Sequence, residues 1–145
     1  MLLDVARKIN PKINFAFVTA AGPVFEEIKI ASQKHENVLF IGPVDYALLY
    51  KYYTAADIFC IPSQYEEGVA RVMLEAVSCG IPIVGSNRGS IPSVLNEKVS
   101  ILVDPTMENL AEKIEYLYNN PDKLKYLAEN CRPYALDNFG FKNAQ

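Results

Sequence analysis

The sequence predicts an α/β protein built on a parallel sheet with helices on both faces. Short runs of β-branched and aromatic residues alternate with segments in which apolar residues recur at helical spacing. The strand runs are apolar almost throughout, which is typical of strands that are covered on both faces. A chain of 145 residues without an internal repeat or a Pro/Gly/Ser-rich linker fits one domain, residues 1–145.

The first half of the chain is expected to form three helices and two strands. The first helical segment stops before Pro11, and Gly22 closes the aromatic run that follows it. Asp45 precedes the third helix, where its side chain can accept a hydrogen bond from a free helix amide. The predicted helices are 2–9, 24–34 and 46–56, and the predicted strands are 13–20 and 38–42.

The second half is expected to form three strands and three longer helices. Gly80 stands where a helix C-terminal glycine belongs. Thr106 can cap the next-to-last helix, in which Leu110, Ile114 and Leu117 form one apolar stripe. The predicted strands are 57–63, 81–87 and 99–103, and the predicted helices are 68–79, 107–120 and 121–138.

Composition excludes several function classes. Half of the residues are apolar, a fifth are charged, the net charge is −3 and no Lys/Arg run occurs, so we expect no nucleic-acid partner. No apolar run approaches the length of a transmembrane segment, and Asp4 in the first helical segment leads us to expect no signal peptide. Cys60, Cys79 and Cys131 are an odd number without short spacing, as expected for reduced thiols in a cytoplasmic protein. Without an Asp-x-Asp or His/Cys cluster, we expect neither a metal nor a cofactor.

The chain topology suggests where a ligand would bind. In open parallel sheets, crossovers are right-handed and ligands bind outside the carboxyl ends of the strands. The loops that follow Gly42, Cys60 and Gly85 should therefore share one edge of the sheet. Residues 62–68 and 86–91 are the candidate site loops.

Two glutamates stand out in these segments. Glu67 precedes the predicted helix start at Gly68, where free amides at 68–70 suit a phosphate or a sugar hydroxyl. Glu75 follows eight residues later in an apolar helical run, up to about 12 Å away along a helix. Two carboxylates at that separation could bind two polyol groups with a diphosphate between them.

A simpler reading of the same residues remains open. Glu67 would merely favour the helix dipole, and Glu75 would pair with Arg71 one helical turn earlier. On this reading neither glutamate contacts a ligand.

A longer ordered set of motifs, with the flanking segments 50–63 and 102–114, resembles one family over nearly the whole chain. The set resembles the C-terminal, donor-binding domain of retaining GT-B glycosyltransferases, called group 1 or family 4. The motifs are Pro62-Ser63, Glu67-Gly68, Leu74-Glu75-Ala76, Gly80-Ile81-Pro82-Ile83-Val84 and Gly89-Ser90-Ile91-Pro92-Ser93. The sequence departs from the family pattern at Val69-Ala70, where Phe-Gly is usual, and at Ser90 and Ser93.

The resemblance implies a role for each residue of the glutamate segment. Glu67 would be the catalytic residue that holds hydroxyls of the donor sugar. The amides of Gly68, Val69 and Ala70 would line the sugar–diphosphate region. Glu75 would accept hydrogen bonds from the ribose hydroxyls.

Three neighbouring loops would complete the donor site by the same resemblance. The loop after Gly42 and the turn at Pro62 and Ser63 would lie near the nucleotide base. The turn at Gly89 and Ser90 would approach the pyrophosphate.

The resemblance also implies a Rossmann-like fold and a longer protein. The family domain has six parallel strands, and this chain begins inside the helix that follows the first, central strand. We therefore expect about five strands, with an interruption between strands 13–20 and 57–61 where the central strand is missing. The basic segment that neutralises the donor phosphates and the N-terminal acceptor domain would be missing as well.

The implied activity is a step of carbohydrate biosynthesis. A sugar would pass with retention from a nucleoside diphosphate sugar, the donor substrate, to a hydroxyl of a sugar or lipid-linked acceptor held by the N-terminal domain. We expect the chain alone to bind nucleotide weakly and to catalyse no transfer. The full-length protein would be cytoplasmic, with peripheral attachment to a membrane left open. A nucleotide-sugar epimerase of the same fold and a non-catalytic binding domain remain as alternatives.

Overall fold

The computed structural model of the chain describes residues 1–19, 21–65 and 71–140. Within these ranges, five strands alternate with seven α-helices and one short 3-10 helix. Every strand pairing is parallel. The α/β class predicted from the sequence is therefore confirmed. The chain divides into two compact units, Met1–Leu49 (unit 1) and Tyr50–Gln145 (unit 2).

Unit 1 contains a two-stranded parallel sheet. The first strand pairs with the second in the register Phe15 to Val38 through Phe17 to Phe40. Its elements are α1 (Leu2–Lys8), β1 (Phe15–Phe17), α2 (Phe25–Ser32), β2 (Val38–Phe40) and the 3-10 helix Tyr46–Leu48. Its buried apolar residues are Leu3, Val5, Ala6, Ile9, Phe15, Ile28, Ala31 and Val38.

A buried asparagine ties the parts of unit 1 together. The Asn37 amide nitrogen donates to the carbonyl of Ala6 at 2.8 Å and to the carbonyl of Ile13 at 3.3 Å. The backbone N–H of Phe15 donates to the Asn37 carbonyl at 2.8 Å. One residue thus joins α1, the segment before β1 and the start of β2.

Unit 2 contains a three-stranded parallel sheet in the order β3-β4-β5. All four residues of the central strand β4 are buried. Helix α3 precedes the first strand of this sheet and begins at Leu49, the last residue of unit 1. The elements are α3 (Leu49–Ala55), β3 (Phe59–Ile61), α4 (Arg71–Ser78), β4 (Ile83–Ser86), α5 (Ile91–Val94), β5 (Ser100–Val103), α6 (Met107–Asn119) and α7 (Pro121–Phe139).

The core of unit 2 follows from the amphipathic patterns of its helices. Leu110, Ile114 and Leu117 of α6 are all buried, as the predicted stripe requires. Helix α4 packs against α7 and buries Met73, Ala76 and Val77 among others. Helices α4 and α6 both contact β4, so helices cover the buried central strand.

The helix ends agree with the capping residues read from the sequence. The Asp45 carboxylate accepts the N–H of Ala47 at 2.8 Å, although it caps the 3-10 helix that leads into α3. The Thr106 hydroxyl accepts the N–H of Asn109 at 3.1 Å. Gly80 follows α4 with φ of 85°, a value that a glycine adopts without strain.

The strand count was predicted well and the strand lengths were not. Five strands are present in the described residues, each of three or four residues, whereas the apolar runs suggested five to eight. The strands form two sheets instead of one: β1 and β2 form the first sheet, and β3, β4 and β5 form the second. This agrees with the expected interruption between the strands at 13–20 and 57–61, which now lie in different sheets.

Candidate functional site

The candidate site loops of unit 2 leave the same edge of the three-stranded sheet. β3 and β4 run parallel, with Ile61 opposite Gly85, so the segments after Ile61 and Ser86 begin side by side. Pro62 and Ser63 follow β3 directly and are half-buried. The Ser63 hydroxyl donates to the carbonyl of Tyr65 at 3.2 Å, which closes a turn.

Close packing explains the glycine within β4. A Cβ atom at Gly85 would come within 2.9 Å of the Ile61 Cγ2 atom and 3.3 Å of the Ile83 Cγ2 atom. A larger residue would therefore force the Ile61 side chain to shift. Ser86, the next residue, is fully buried, and its hydroxyl has no hydrogen-bond partner in the described part of the chain.

The loop after β4 forms the predicted glycine turn. Gly89 has φ of 56°, in the left-handed region that favours glycine. The Ser93 hydroxyl donates to the carbonyl of Ser90 at 2.7 Å and holds the first turn of α5. Arg88, which the sequence reasoning did not single out, lies exposed in this loop, 3.5 Å from the Asp104 carboxylate.

Glu75 lies half-buried on α4 and has a tyrosine partner. The Tyr53 hydroxyl donates to the Glu75 Oε2 atom at 3.1 Å. Sequence reasoning expected a partner for this glutamate but could not find Tyr53, because 22 residues separate the two and no helical spacing connects them. The suggested pairing of Glu75 with Arg71 stays a prediction.

The charge of Glu75 also influences a neighbouring thiol. Cys79 lies one helical turn after Glu75, and the pKa of its thiol is raised, first by burial and then by the Glu75 carboxylate. The Arg132 guanidinium acts in the opposite direction. All three cysteines are free thiols, as predicted.

The structure does not describe every predicted site residue. Glu67, Gly68, Val69 and Ala70 lie outside the described residues, as does the predicted helix start at Gly68. Gly42 belongs to unit 1, where it follows β2, is buried and has φ of 76°. Whether its loop shares an edge with the loops of unit 2 stays a prediction.

A shallow groove of about 400 Å³ lies away from these loops. Its lining includes Ser100, the first residue of β5, so it lies toward the amino end of the strands. Among the described residues, no group of three or more His, Cys, Asp or Glu side chains is arranged to hold a metal ion. No helix in the described ranges has both the length and the apolar character needed to cross a bilayer.

The sequence of the chain is similar to one family of known proteins. Residues 1–133 match the model of the family described as glycosyl transferases group 1. The chain is 34% identical over 116 residues to spore coat protein SA of Bacillus subtilis, covering 78% of this chain and 31% of that protein. It is 30% identical over 108 residues to one of the subunits of human phosphatidylinositol N-acetylglucosaminyltransferase, covering 72% of this chain and 22% of that relative. The chain thus spans less than a third of the length of these two proteins.

The fold is shared with solved structures. The Anabaena protein HepE in complex with UDP superposes with a TM-score of 0.82 at 24% identity, over 95% of this chain and 40% of that protein. The same protein has been solved with UDP-glucose and superposes with a TM-score of 0.81. These similarities establish a Rossmann-like α/β fold for the described part of the chain.

Proposed function

Because the chain belongs to the group 1 glycosyl transferases, we propose that it is the donor-binding part of a retaining glycosyltransferase. The donor is a nucleoside diphosphate sugar, and the acceptor is a hydroxyl of a sugar or lipid-linked molecule held by another part of the protein. The activity of the whole protein is part of this proposal, since the chain spans less than a third of the length of the two relatives described above.

One observation carries the proposal. Glu75 places a half-buried carboxylate beside the buried apolar residues of α4, and a tyrosine hydroxyl donates to that carboxylate at 3.1 Å. A half-buried carboxylate accepts hydrogen bonds strongly, and the two ribose hydroxyls of a nucleotide are matched donors. Binding of UDP and UDP-glucose by the Anabaena protein of the same fold supports a nucleotide ligand.

The remaining roles follow the order of the donor. Glu67 holds hydroxyls of the transferred sugar, and the amides of Gly68, Val69 and Ala70 line the sugar–diphosphate region. The Gly89 turn, with Ser90, approaches the pyrophosphate. Pro62, Ser63 and the loop after Gly42 lie near the base.

The chemistry is electrostatic support of the leaving diphosphate. As the glycosidic bond breaks, negative charge grows on the departing phosphate oxygens, and oriented donors lower the barrier. No metal or cofactor is required by this proposal. The free thiols are in keeping with a cytoplasmic protein.

The first experiment measures nucleotide binding by the 145-residue chain. Amide NMR spectra are recorded during titration with UDP, GDP and ADP, in wild type and in Glu75→Gln. We expect weak binding that shifts signals after β3 and β4. Loss of charge-assisted hydrogen bonds in Glu75→Gln should weaken binding by about 1–3 kcal/mol.

The matched control is Glu97→Gln, which alters an exposed glutamate between α5 and β5. Its affinity should equal that of wild type. Failure of all three nucleotides to shift any signal would reject the donor site, and an equal effect of both substitutions would reject the role of Glu75.

A second experiment concerns Glu67. In a complete protein that carries this chain, Glu67→Gln should reduce sugar transfer far more than affinity for the bare nucleoside diphosphate. Equal losses in the two assays would move Glu67 to the nucleotide end of the site. The 145-residue chain alone should show no transfer across a panel of nucleotide sugars and alcohol acceptors.

A further inference from the structure

Tyr53 lies between the core of unit 2 and the Glu75 carboxylate. Its ring packs edge-on against the Phe59 ring of β3, with centroids 5.6 Å apart and planes at 62°. Both rings pack against the hydrophobic cluster of unit 2 that contains Met73, Ala76 and Val77. The hydroxyl at the far end of the Tyr53 ring donates to the Glu75 Oε2 atom. The position of that hydroxyl is therefore fixed by packing.

A fixed donor matters for a glutamate that binds a ligand. Glutamate has three rotatable side-chain torsions, and freezing them upon binding reduces affinity. A hydrogen bond from a rigid neighbour orders the carboxylate before the ligand arrives. It also sets the plane of the carboxylate, which decides whether both oxygens can face two adjacent hydroxyls.

The choice of tyrosine matters as well. A bidentate arginine would engage both carboxylate oxygens and neutralise their charge. A tyrosine hydroxyl is a single neutral donor, so its bond takes one of the roughly four acceptor sites of a carboxylate and leaves the negative charge in place. A carboxylate oriented by this bond suits the acceptance of two hydroxyl hydrogen bonds.

We infer that Tyr53 is a positioning residue that orients Glu75 toward the 2′,3′-diol of a nucleoside diphosphate. Tyr53 acts through Glu75 and does not itself contact the ligand. The inference rests on the proposed function, because it assumes that Glu75 binds ribose. It adds to that function a residue whose loss should affect recognition of the diol and nothing else in the ligand.

The test compares a nucleotide with its dideoxy form. The substitution Tyr53→Phe keeps the ring against Phe59 and removes only the hydroxyl. Dissociation constants are measured for the tightest binder among UDP, GDP and ADP, and for its 2′,3′-dideoxy form. We expect Tyr53→Phe to bind the normal nucleotide about three- to tenfold more weakly than wild type, which corresponds to the loss of one hydrogen bond. Affinity for the dideoxy form should not change.

Two controls isolate the hydroxyl of Tyr53. Tyr52→Phe removes the hydroxyl of the neighbouring, exposed tyrosine and should leave both affinities unchanged. In the double variant Tyr53→Phe/Glu75→Gln, the second substitution should add little, because residues that act through one contact are not additive. Thermal unfolding of each variant reports any change in the fold.

The outcomes separate this inference from the proposed function. If wild type binds no nucleotide, or binds the dideoxy form equally well, the proposed function of Glu75 fails. If wild type distinguishes the two forms and Tyr53→Phe distinguishes them equally well, only the inference is overturned. A parallel loss of affinity for both forms, with a lower melting temperature, would mean a structural role and would also overturn it.

A second measurement requires no substitution. The Tyr53 ring carbon that bears the hydroxyl, labelled with ¹³C in wild type, should shift when the normal nucleotide binds and stay in place with the dideoxy form. Equal shifts with both nucleotides, or no shift with the normal one, would overturn the inference even if Tyr53→Phe failed to fold.

Discussion

Different interactions stabilise the interior of each of the two units of the chain. Unit 2 has a three-stranded sheet whose central strand is buried at every position. Unit 1 has two strands of three residues each and relies on the buried amide of Asn37 to connect its parts. Isolated two-stranded sheets are marginally stable, so polar ties and covering helices carry more of the stability of unit 1. Glu75, Tyr53 and the Gly89 turn all belong to the better packed unit, which suits residues that must hold a fixed geometry.

The largest expected effect comes from truncating the core of unit 2. Leu110→Ala removes a fully buried side chain from α6 and should cost about 2–5 kcal/mol of unfolding free energy. Ile28→Ala, at a buried position in unit 1, should cost less, because the smaller core can relax around the cavity. Urea unfolding measures both costs, and an equal or larger cost at Ile28 would contradict the comparison.

The next largest effect is expected from removing the buried hydrogen bonds of Asn37 in unit 1. Asn37→Ala leaves the carbonyls of Ala6 and Ile13 without their side-chain donor, so we expect a loss of about 1–3 kcal/mol. The control is Asn138→Ala, which removes a similar amide-to-carbonyl bond to Tyr134 at an exposed site and should cost less than about 0.5 kcal/mol. Hydrogen exchange should show faster opening of β1 and β2. Similar costs for both variants would show that burial of the amide does not matter.

A third effect depends on pH and concerns Cys131, which is fully buried in unit 2. Burial raises the pKa of its thiol from 9.0 to about 12. The neutral thiol is favoured in the folded state, so its contribution is complete below pH 9 and is lost as the pH rises toward 12. At pH 10 the loss of unfolding free energy amounts to about 1.4 kcal/mol. Unfolding free energy should therefore fall more steeply above pH 9 in wild type than in Cys131→Ala, and parallel curves would refute this.

The smallest effect concerns the two surface ion pairs that Arg7 makes in unit 1. Arg7 lies 3.4 Å from Asp4 and 3.2 Å from Glu27, so it connects α1 with α2. Because the partners are about half exposed, Arg7→Gln should cost less than about 1 kcal/mol, and the cost should vanish in about 1 M salt. Lys8→Gln serves as the control. A larger cost that persists in high salt would mean that Arg7 acts through packing of its side chain rather than through surface charge.

Local sequence patterns predicted the elements that depend on neighbouring residues. The stripe at Leu110, Ile114 and Leu117, the Thr106 cap and the glycine positions at Gly80 and Gly89 all appear as expected. Each depends on residues within a few positions, which periodicity and turn chemistry can reveal. Strand ends were less accurate, because strand length depends on the partner strand rather than on the apolar run itself.

Long-range contacts could not be read from the sequence. A sequence shows which residues share a helix face, and so suggested Arg71 as the partner of Glu75. The tyrosine that bonds Glu75 lies on α3, and only the packing of Tyr53 against Phe59 brings its hydroxyl there. Asn37 is similar, since its amide reaches 31 residues back to Ala6. Polar contacts between residues this far apart in the chain can be identified only once the tertiary fold is known.

Ser86 has a consequence for engineering this protein. A buried hydroxyl that finds no acceptor in the described structure loses its hydration without recovering it, so this position is not at its stability optimum. Replacement by alanine removes the hydroxyl and keeps the small volume that the end of β4 allows. Ser86→Ala should raise the melting temperature, which makes it a practical starting background for variants that lose stability. A fall in melting temperature would mean that the hydroxyl is satisfied in solution, by water or by a residue outside the described ranges.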